Sequence, residues 1–305
     1  MNELLELRDF CRQIHCTCLA DEPMSAHTTF KIGGPADLFI RPYDFKQARQ
    51  VIRKVTQLGL PLRYIGKGSD LLINDCGIRG VVLSFDELSA VPSIRKDDET
   101  LIDCPAGASL TALCRFAQKH GLSGLEFAYG IPGSLGGGVY MNAGAYGGEL
   151  CDVVEEVSYL DTKSSEEMKR KAGSLDFRYR HSWFSDHPDC LITGAAIRLQ
   201  KGDPREIHAK MDEFMERRKS KQPLEYPSAG STFKRPEGSY ASVLIDRCGL
   251  KGRRVGGAMV SEKHAGFVIN YDHATCQDVL ELIRQVQQEV YGKTGFQLEC
   301  EIKLL

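Results

Sequence analysis

Apolar side chains recur at Leu4, Leu7, Cys11 and Ile14, a three- and four-residue spacing that predicts an opening helix. Residues 28–42 (TTFKIGGPADLFIRP) alternate and then break at Gly33-Gly34-Pro35, which reads as two short strands joined by a turn. Helical spacing returns at Phe45, Ala48, Val51, Ile52 and Val55, with Asp44 placed to cap the helix. Residues 62–73 (LRYIGKGSDLLI) then read as a strand, a glycine loop and a strand. This β-α-β rhythm makes one small α/β unit.

The middle of the chain is richer in strands: VVLS at 81–84, TLIDCPAG at 100–107, VVEEVSYLD at 153–161 and CLITGAAIRL at 190–199. One helix, Leu110 to Lys119, lies among them. The last third opens with a polar helix, Arg205 to Lys219. It ends with a helix that carries Val279, Leu282, Ile283, Val286 and Val290 on one face, followed by a closing strand at 296–305. The pattern predicts an α+β protein of two or three domains, consistent with a length of 305 residues.

Two glycine-rich segments interrupt this pattern. GKGSD spans 66–70, and GIPGSLGGGVYMNAGAYGGE at 130–149 holds eight glycines. Glycine lets a ligand approach backbone N–H groups with no Cβ in the way, and consecutive N–H groups in a concavity suit a pyrophosphate. The bland alternative is that the glycines permit tight turns and close packing. Neither segment is a GxGxxG between strand and helix, so a Rossmann turn is excluded. A dinucleotide fold of another kind is indicated.

Composition narrows the partners. A net charge of −2 gives no overall attraction for nucleic acid. No apolar run approaches the roughly 20 residues that span a bilayer, so no membrane insertion is expected. The N-terminus lacks the order of a signal peptide, and a cytoplasmic protein is the expectation. Eleven cysteines form no CxxC and eight histidines form no HExxH, so no metal is expected and reduced thiols used as small apolar residues are the reading. Basic residues gather at Arg217, Arg218, Lys219 and Lys221, then Lys234 and Arg235. They read as a solvated helix end or an anion site.

Seven segments in one order resemble the UDP-N-acetylenolpyruvoylglucosamine reductase (MurB) family: HTTFKIGGPAD, IGKGSDLLI, LEFAYGIPGSLGGGVYMNAGAYGGE, FRYRHS, PSAGSTFKRP, LIDRCGLKGRRVGGAMVSEKHAGFVIN and LECEI. The resemblance runs from about residue 27 to 303. It implies a three-domain α+β flavoprotein with a vanillyl-alcohol-oxidase/PCMH-type FAD-binding fold and a C-terminal substrate-binding domain. The parts expected are 1–85 and 86–202 for FAD and 203–305 for substrate. The implied activity is NADPH-dependent reduction of UDP-N-acetylenolpyruvoylglucosamine to UDP-N-acetylmuramate in peptidoglycan precursor synthesis. Its partners are those two small molecules, with no obligate protein partner. Only thirteen residues separate Arg180 from Gly194, so the chain resembles the members that lack an extra tyrosine-bearing loop.

The resemblance assigns residues. Ser231 in AGSTFK matches the donor of the C2 proton, although a serine in a glycine-flanked turn is by itself an ordinary turn residue. Arg180, in the Tyr-Arg-x-Ser pattern, matches the arginine that holds the enolate, with Arg178 its near neighbour. Glu301 in LECEI matches the acid that shares the enolate's charge; the residues alone leave Glu299 and Glu301 open. FAD falls to Gly66, Gly68, Ser69 and Asp70, and to Gly130, Pro132, Gly133, Ser134, Gly137, Asn142, Ala143 and Gly144. Substrate falls to Tyr179, Lys221 and Arg235. Asp70 stands where the family usually has Asn, Gly138 and Cys248 where alanine is common, and Arg235 where some relatives carry Asn. The alternatives are an FAD-dependent sugar or alcohol oxidase on the same fold and a non-catalytic nucleotide-sugar sensor.

Overall fold

The computed structural model describes residues 2–86 and 91–305. The chain forms two compact units, one of Met1–Leu19, Leu38–Lys67 and Gly80–Arg217, the other of Ala20–Asp37, Gly68–Arg79 and Arg218–Leu305.

In the first unit, helix α1 (Asn2–Gln13) buries Leu7 and Cys11, and α2 (Phe45–Gln57) buries Ala48, Val51, Ile52 and Val55. Asp44 caps α2 by accepting the N–H of Gln47. Both helices share a core with Leu38, Ile40, Val81 and Leu83, inward residues of a sheet ordered Thr17–Pro23, Pro35–Arg41, Ile78–Ser84, Leu62–Ile65. At about 1.5–3 kcal/mol for each buried aliphatic side chain, that one face of α2 outweighs its weak β-branched helix propensity. A second, antiparallel sheet has the order Glu167–Lys171, Val154–Asp161, Cys190–Arg198, Asp98–Pro105, Ser93–Arg95. Helix α3 (Leu110–Lys119), capped by Ser109, and the short α4 (Leu135–Tyr140) pack into its core. The polar helix is α5 (Pro204–Lys221).

The second unit contains α6 (Ala241–Arg247), α7 (Cys276–Thr294) and a three-stranded antiparallel sheet, Arg254–Val255, Ala258–Val260, Val268–Asn270. All five apolar residues expected on one face of α7 are buried. A capping box of Thr275 and Asp278 starts the helix, and Gly295 at φ +74° ends it.

Three sequence expectations change. Only the second of the two strands expected within residues 28–42 forms. Thr28 Oγ1 donates to the Ile32 carbonyl at 3.3 Å, the Lys31 N–H closes on the Thr28 carbonyl, and Lys31 takes φ +57°. These local bonds replace strand pairing. The closing strand is broken as well. Cys300 bridges Phe233, whereas Lys303–Leu304 pairs in parallel with Leu71–Leu72, so the segment changes partners midway. The glycine segment, finally, contains a helical turn and a hairpin, Gly144–Ala145 with Gly148–Glu149.

Candidate active site

The two glycine loops meet inside the first unit. A Cβ on Gly66 would overlap the Oγ of Ser134. Ser134 is buried and caps α4, its Oγ accepting the Gly137 N–H at 3.4 Å. The chain just before α4 is fixed against residues 106–110: Leu110 N–H donates to Gly133 O, Leu135 N–H to Ala108 O and Gly136 N–H to Ala106 O. Several glycines are therefore packing positions. A Cβ on Gly136 would lie 2.9 Å from Ala106 Cβ, on Gly138 2.8 Å from Leu150, and on Gly148 2.6 Å from Phe127. Gly137 differs: it is exposed, and a Cβ there would meet only Ser134 Oγ, at 3.5 Å. Pro132 is also exposed, and Gly130 turns the chain at φ +86°.

Asn142 is 1% exposed and its amide is committed to the fold. Its Nδ2 donates to Glu149 Oε2 at 2.9 Å and to Arg178 O at 3.2 Å, and its Oδ1 accepts the Cys151 N–H at 2.9 Å. Ala143 donates its N–H to Gly138 O, and Gly144 pairs with Glu149.

Asn142 thereby braces a second feature, a two-residue turn. Arg178 and His181 exchange both backbone hydrogen bonds at 3.1 Å, leaving Tyr179 and Arg180 at the tip. Arg180 adopts φ +54°, a conformation that favours glycine or asparagine in such a turn. Its guanidinium donates to Gly144 O at 3.3 Å and lies 4.8 Å from the Tyr179 ring centroid. Arg178 points elsewhere, to Asp176 Oδ2 at 2.8 Å and His181 Nε2 at 3.2 Å. Asp176, His181 and Asp186 bring three possible metal-ligand atoms together, and the Arg178 guanidinium already supplies positive charge there. From His181 the chain reaches the strand Cys190–Arg198 through one short helical turn, Trp183–Ser185.

In the second unit, Ser231 precedes Thr232, whose backbone joins two neighbours. Thr232 N–H donates to Gly266 O at 2.8 Å, and its carbonyl accepts the Glu301 N–H at 2.9 Å. Glu301 and Ser231 are thus one residue apart across paired extended segments. Glu301 is half-buried, while Glu299 is exposed and pairs with Lys234 at 3.2 Å. Arg235 stacks on Tyr240 at 4.4 Å, and Lys221 ends α5 on the surface. Gly68, at φ +61°, leaves no room for a Cβ against His27 O. Its carbonyl accepts the Thr29 N–H, the Ser69 carbonyl accepts from Thr29 Oγ1, and the Asp70 carbonyl accepts the Lys303 N–H.

Sequence reasoning missed His264. Its Nδ1 accepts the Gly266 N–H at 3.2 Å, so the ring proton sits on Nε2. Burial first, then the charges of Lys251 and Lys221, push its pKa below the usual histidine value. His264 belongs to no metal-binding histidine pair, and its surroundings arise only on folding. A groove of about 560 Å³ lined by Lys31, Gly33, Asp75, Tyr271, His273 and Thr275 contains none of the sequence-predicted residues.

These features suit a bound FAD. Among the described residues, no backbone carbonyl accepts from the N–H groups of Gly133 or Ser134 in the first unit, nor from those of Gly68 or Ser69 in the second; each pair offers donors of the kind a diphosphate takes. Gly66 and Gly68 each sit where a Cβ would collide with the chain, with Ser134 Oγ and His27 O respectively, so only glycine lets the backbone of this loop run so close to its neighbours.

The chain matches the FAD binding domain family over residues 36–166. The fold is that of an α+β flavoprotein of the vanillyl-alcohol-oxidase type, joined to a C-terminal domain that matches the UDP-N-acetylenolpyruvoylglucosamine reductase C-terminal domain over residues 222–305. A UDP-N-acetylenolpyruvoylglucosamine reductase of Lachnoclostridium phytofermentans is 48% identical over 99% of this chain and 96% of its own. One of Caldanaerobacter subterraneus subsp. tengcongensis is 47% identical over 93% and 92%. The crystal structure of the reductase from Thermus caldophilus superposes with a TM-score of 0.79 at 33% identity, covering 95% of this chain and 98% of that one. The chain belongs to the UDP-N-acetylenolpyruvoylglucosamine reductase family.

Proposed function

We propose that Ser231, Arg180 and Glu301 are the catalytic residues of the family's reaction in this chain. The enzyme reduces UDP-N-acetylenolpyruvoylglucosamine to UDP-N-acetylmuramate with NADPH and FAD, in peptidoglycan precursor synthesis. Bound FAD supplies the hydride that reaches C3 of the enol ether, chemistry that no side chain can provide. The protein's own work is to hold the charge that then develops on the substrate carboxylate and to place one proton on C2. Arg180 offers a permanently charged fork to that carboxylate, and Glu301 shares its charge. Ser231 gives its hydroxyl proton to C2; a weak acid suffices because the acceptor is a strongly basic carbanion.

The cofactor set remains Gly66, Gly68, Ser69, Asp70, Gly130, Pro132, Gly133, Ser134, Gly137, Asn142, Ala143 and Gly144, divided by role. The loops at 66–70 and 130–137 offer N–H groups to the diphosphate, and Asn142 to Gly144 shape the wall behind them. Tyr179, Lys221 and Arg235 take the nucleotide part of the substrate. Residues 1–85 and 86–202 are the FAD-binding parts and 203–305 the substrate-binding part. The enzyme acts in the cytoplasm on its two small-molecule partners; among the described residues no helix is long and apolar enough to cross a membrane.

The observation that supports this reading most is the Glu301 N–H bonded to Thr232 O, which sets the Glu301 backbone one residue from Ser231, while the Glu299 carboxylate pairs with Lys234. Anaerobic half-reactions test it. In Ser231→Ala, NADPH should still bleach the flavin, while reoxidation by the enolpyruvyl nucleotide should slow by roughly 10²- to 10⁴-fold. Equal loss of both steps would make Ser231 a structural residue.

A further inference from the structure

Three thiols converge at the N-terminal corner of the first unit, and none takes part in the proposed chemistry. Helix α1 ends in a Schellman motif: His15 at φ +54° donates its N–H to Arg12 O at 3.1 Å, and Cys16 donates to Cys11 O at 2.8 Å. That geometry brings the side chains of Cys11 and Cys16 into contact. Cys18 lies two residues further along the strand Thr17–Pro23, on the same face as Cys16, and so reaches Cys11 too. Cys11 and Cys16 are buried, at 0% and 6% exposure, whereas Cys18 is partly exposed. The strand holding Cys18 is at the edge of its sheet.

The thiols are not equivalent. Cys16 donates its S–H to the Arg41 carbonyl at 3.5 Å. Cys11 and Cys16 lie in one core cluster, and Cys18 packs against it. Arg8 and Arg12 of α1 bring positive charge to Cys18; Arg12 is shared with Asp9, but Arg8 Nε is buried with no acceptor among the described residues. We infer that Cys18 is a peroxide-reactive thiol and Cys11 its resolving partner, so that oxidation closes a reversible Cys11–Cys18 disulfide tying the end of α1 to the edge strand. The hydrogen bond from Cys11, followed by the two arginines, lowers the Cys18 pKa against the opposing effect of burial, while Cys11 is pushed up.

The chemistry balances with hydrogen peroxide as the oxidant. The Cys18 thiolate attacks one peroxide oxygen, breaking the O–O bond, and with one proton gives Cys18 sulfenic acid and water. The Cys11 sulfur then attacks the Cys18 sulfur. The S–O bond breaks, the thiol proton leaves with the hydroxyl as a second water, and the disulfide forms. Two further cysteines, Cys76 and Cys300, are more exposed and serve as internal controls.

The full-length FAD-loaded enzyme would be treated with hydrogen peroxide, quenched with N-ethylmaleimide and digested with trypsin without reductant. Peptide 9–12, carrying Cys11, should be joined to peptide 13–31, carrying Cys16 and Cys18, and dithiothreitol should release it. The link should persist in Cys16→Ser and vanish in Cys18→Ser. In Cys11→Ala, and equally in Cys11→Ser, dimedone should capture sulfenic acid on Cys18. Before oxidation, Cys18 should alkylate about tenfold faster than Cys76 or Cys300. A link that survives Cys18→Ser, or a Cys18 that reacts no faster than the two exposed cysteines, would overturn the inference.

Discussion

Gly66 and Ser134, from two glycine loops far apart in sequence, touch so closely that a Cβ on Gly66 would overlap Ser134 Oγ. Gly66→Ala is therefore expected to destabilise the protein by about 1–3 kcal/mol and to lower its FAD content. The clash is with one oxygen, since Ser134 Cβ would remain at 3.4 Å, an ordinary contact. Gly66→Ala in a Ser134→Ala background should thus cost clearly less than in the wild type. Denaturant midpoints and flavin absorbance across the four proteins of this cycle measure the coupling; strict additivity would mean that the loops do not meet there.

Arg178 and Arg180 are separated by one residue but point to different partners. Arg180, held at φ +54° and directed to Gly144 O, is the arginine proposed to face the substrate. Arg180→Lys should slow the substrate-dependent reoxidation of the flavin by roughly 10²-fold, because lysine lacks the planar fork. Arg178→Lys, at the exposed pair with Asp176, should change it less than about threefold. Stopped-flow reoxidation of both variants decides; the reverse ranking would move the assignment to Arg178.

Much of the fold was legible because some helices announce themselves twice. Helices α2, α3 and α7 each combine an apolar stripe with a capping side chain, Asp44, Ser109 or Thr275. The short α4 carried no such signal. Three glycines lower its helix propensity, and it is held by the Ser134 cap and by burial of Leu135 and Val139, which are tertiary facts. The loop at Thr28 hid for a related reason, its side chain taking a hydrogen bond that an alternating pattern assigns to a strand. At the site, residue types and spacing indicated a diphosphate cradle but left Glu299 and Glu301, two apart on an extended segment, indistinguishable. The partner segment at Thr232 to Lys234 separates them, and nothing in the sequence reveals that partner. His264 was invisible because its setting comes from Gly266, Lys251 and Lys221 in the folded chain.

Glu299→Gln removes an exposed pair with Lys234 whose carboxylate is 71% accessible, and should change stability by less than about 1 kcal/mol with turnover preserved. Glu301→Gln should lower turnover at least about tenfold with FAD still bound. Comparable activity in the two variants would remove Glu301 from the proposed chemistry.

Asn142 ties together the glycine segment, Cys151 and the Arg178–His181 turn. Asn142→Ala leaves the Cys151 N–H without its acceptor, at about 1–3 kcal/mol, and removes one of two donors to the Arg178 carbonyl, which keeps the His181 N–H. Asn142→Asp keeps the acceptor but places a carboxylate against Glu149, so it should not rescue stability. Urea unfolding of both variants tests the brace; a wild-type midpoint in Asn142→Ala would show that the turn holds itself.

His264 should give the enzyme a measurable weakness in acid. Burial, reinforced by Lys251 and Lys221, lowers its pKa in the folded protein below the unfolded value of 6.5. As pH falls past that value the unfolded chain takes up the proton first, so the contribution is complete above it and is lost as pH drops through the folded pKa. Protonation also turns Nδ1 from an acceptor into a donor, which breaks the bond from the Gly266 N–H. The carbonyl of the same Gly266 accepts the Thr232 N–H, next to Ser231, so the loss should register in activity as well as in stability. His264→Gln retains an acceptor but cannot titrate over this range. Between about pH 7.5 and about pH 5.5 its Tm should therefore fall less than that of the wild type. Parallel Tm curves for the two proteins would show that His264 carries no acid-dependent part of the stability.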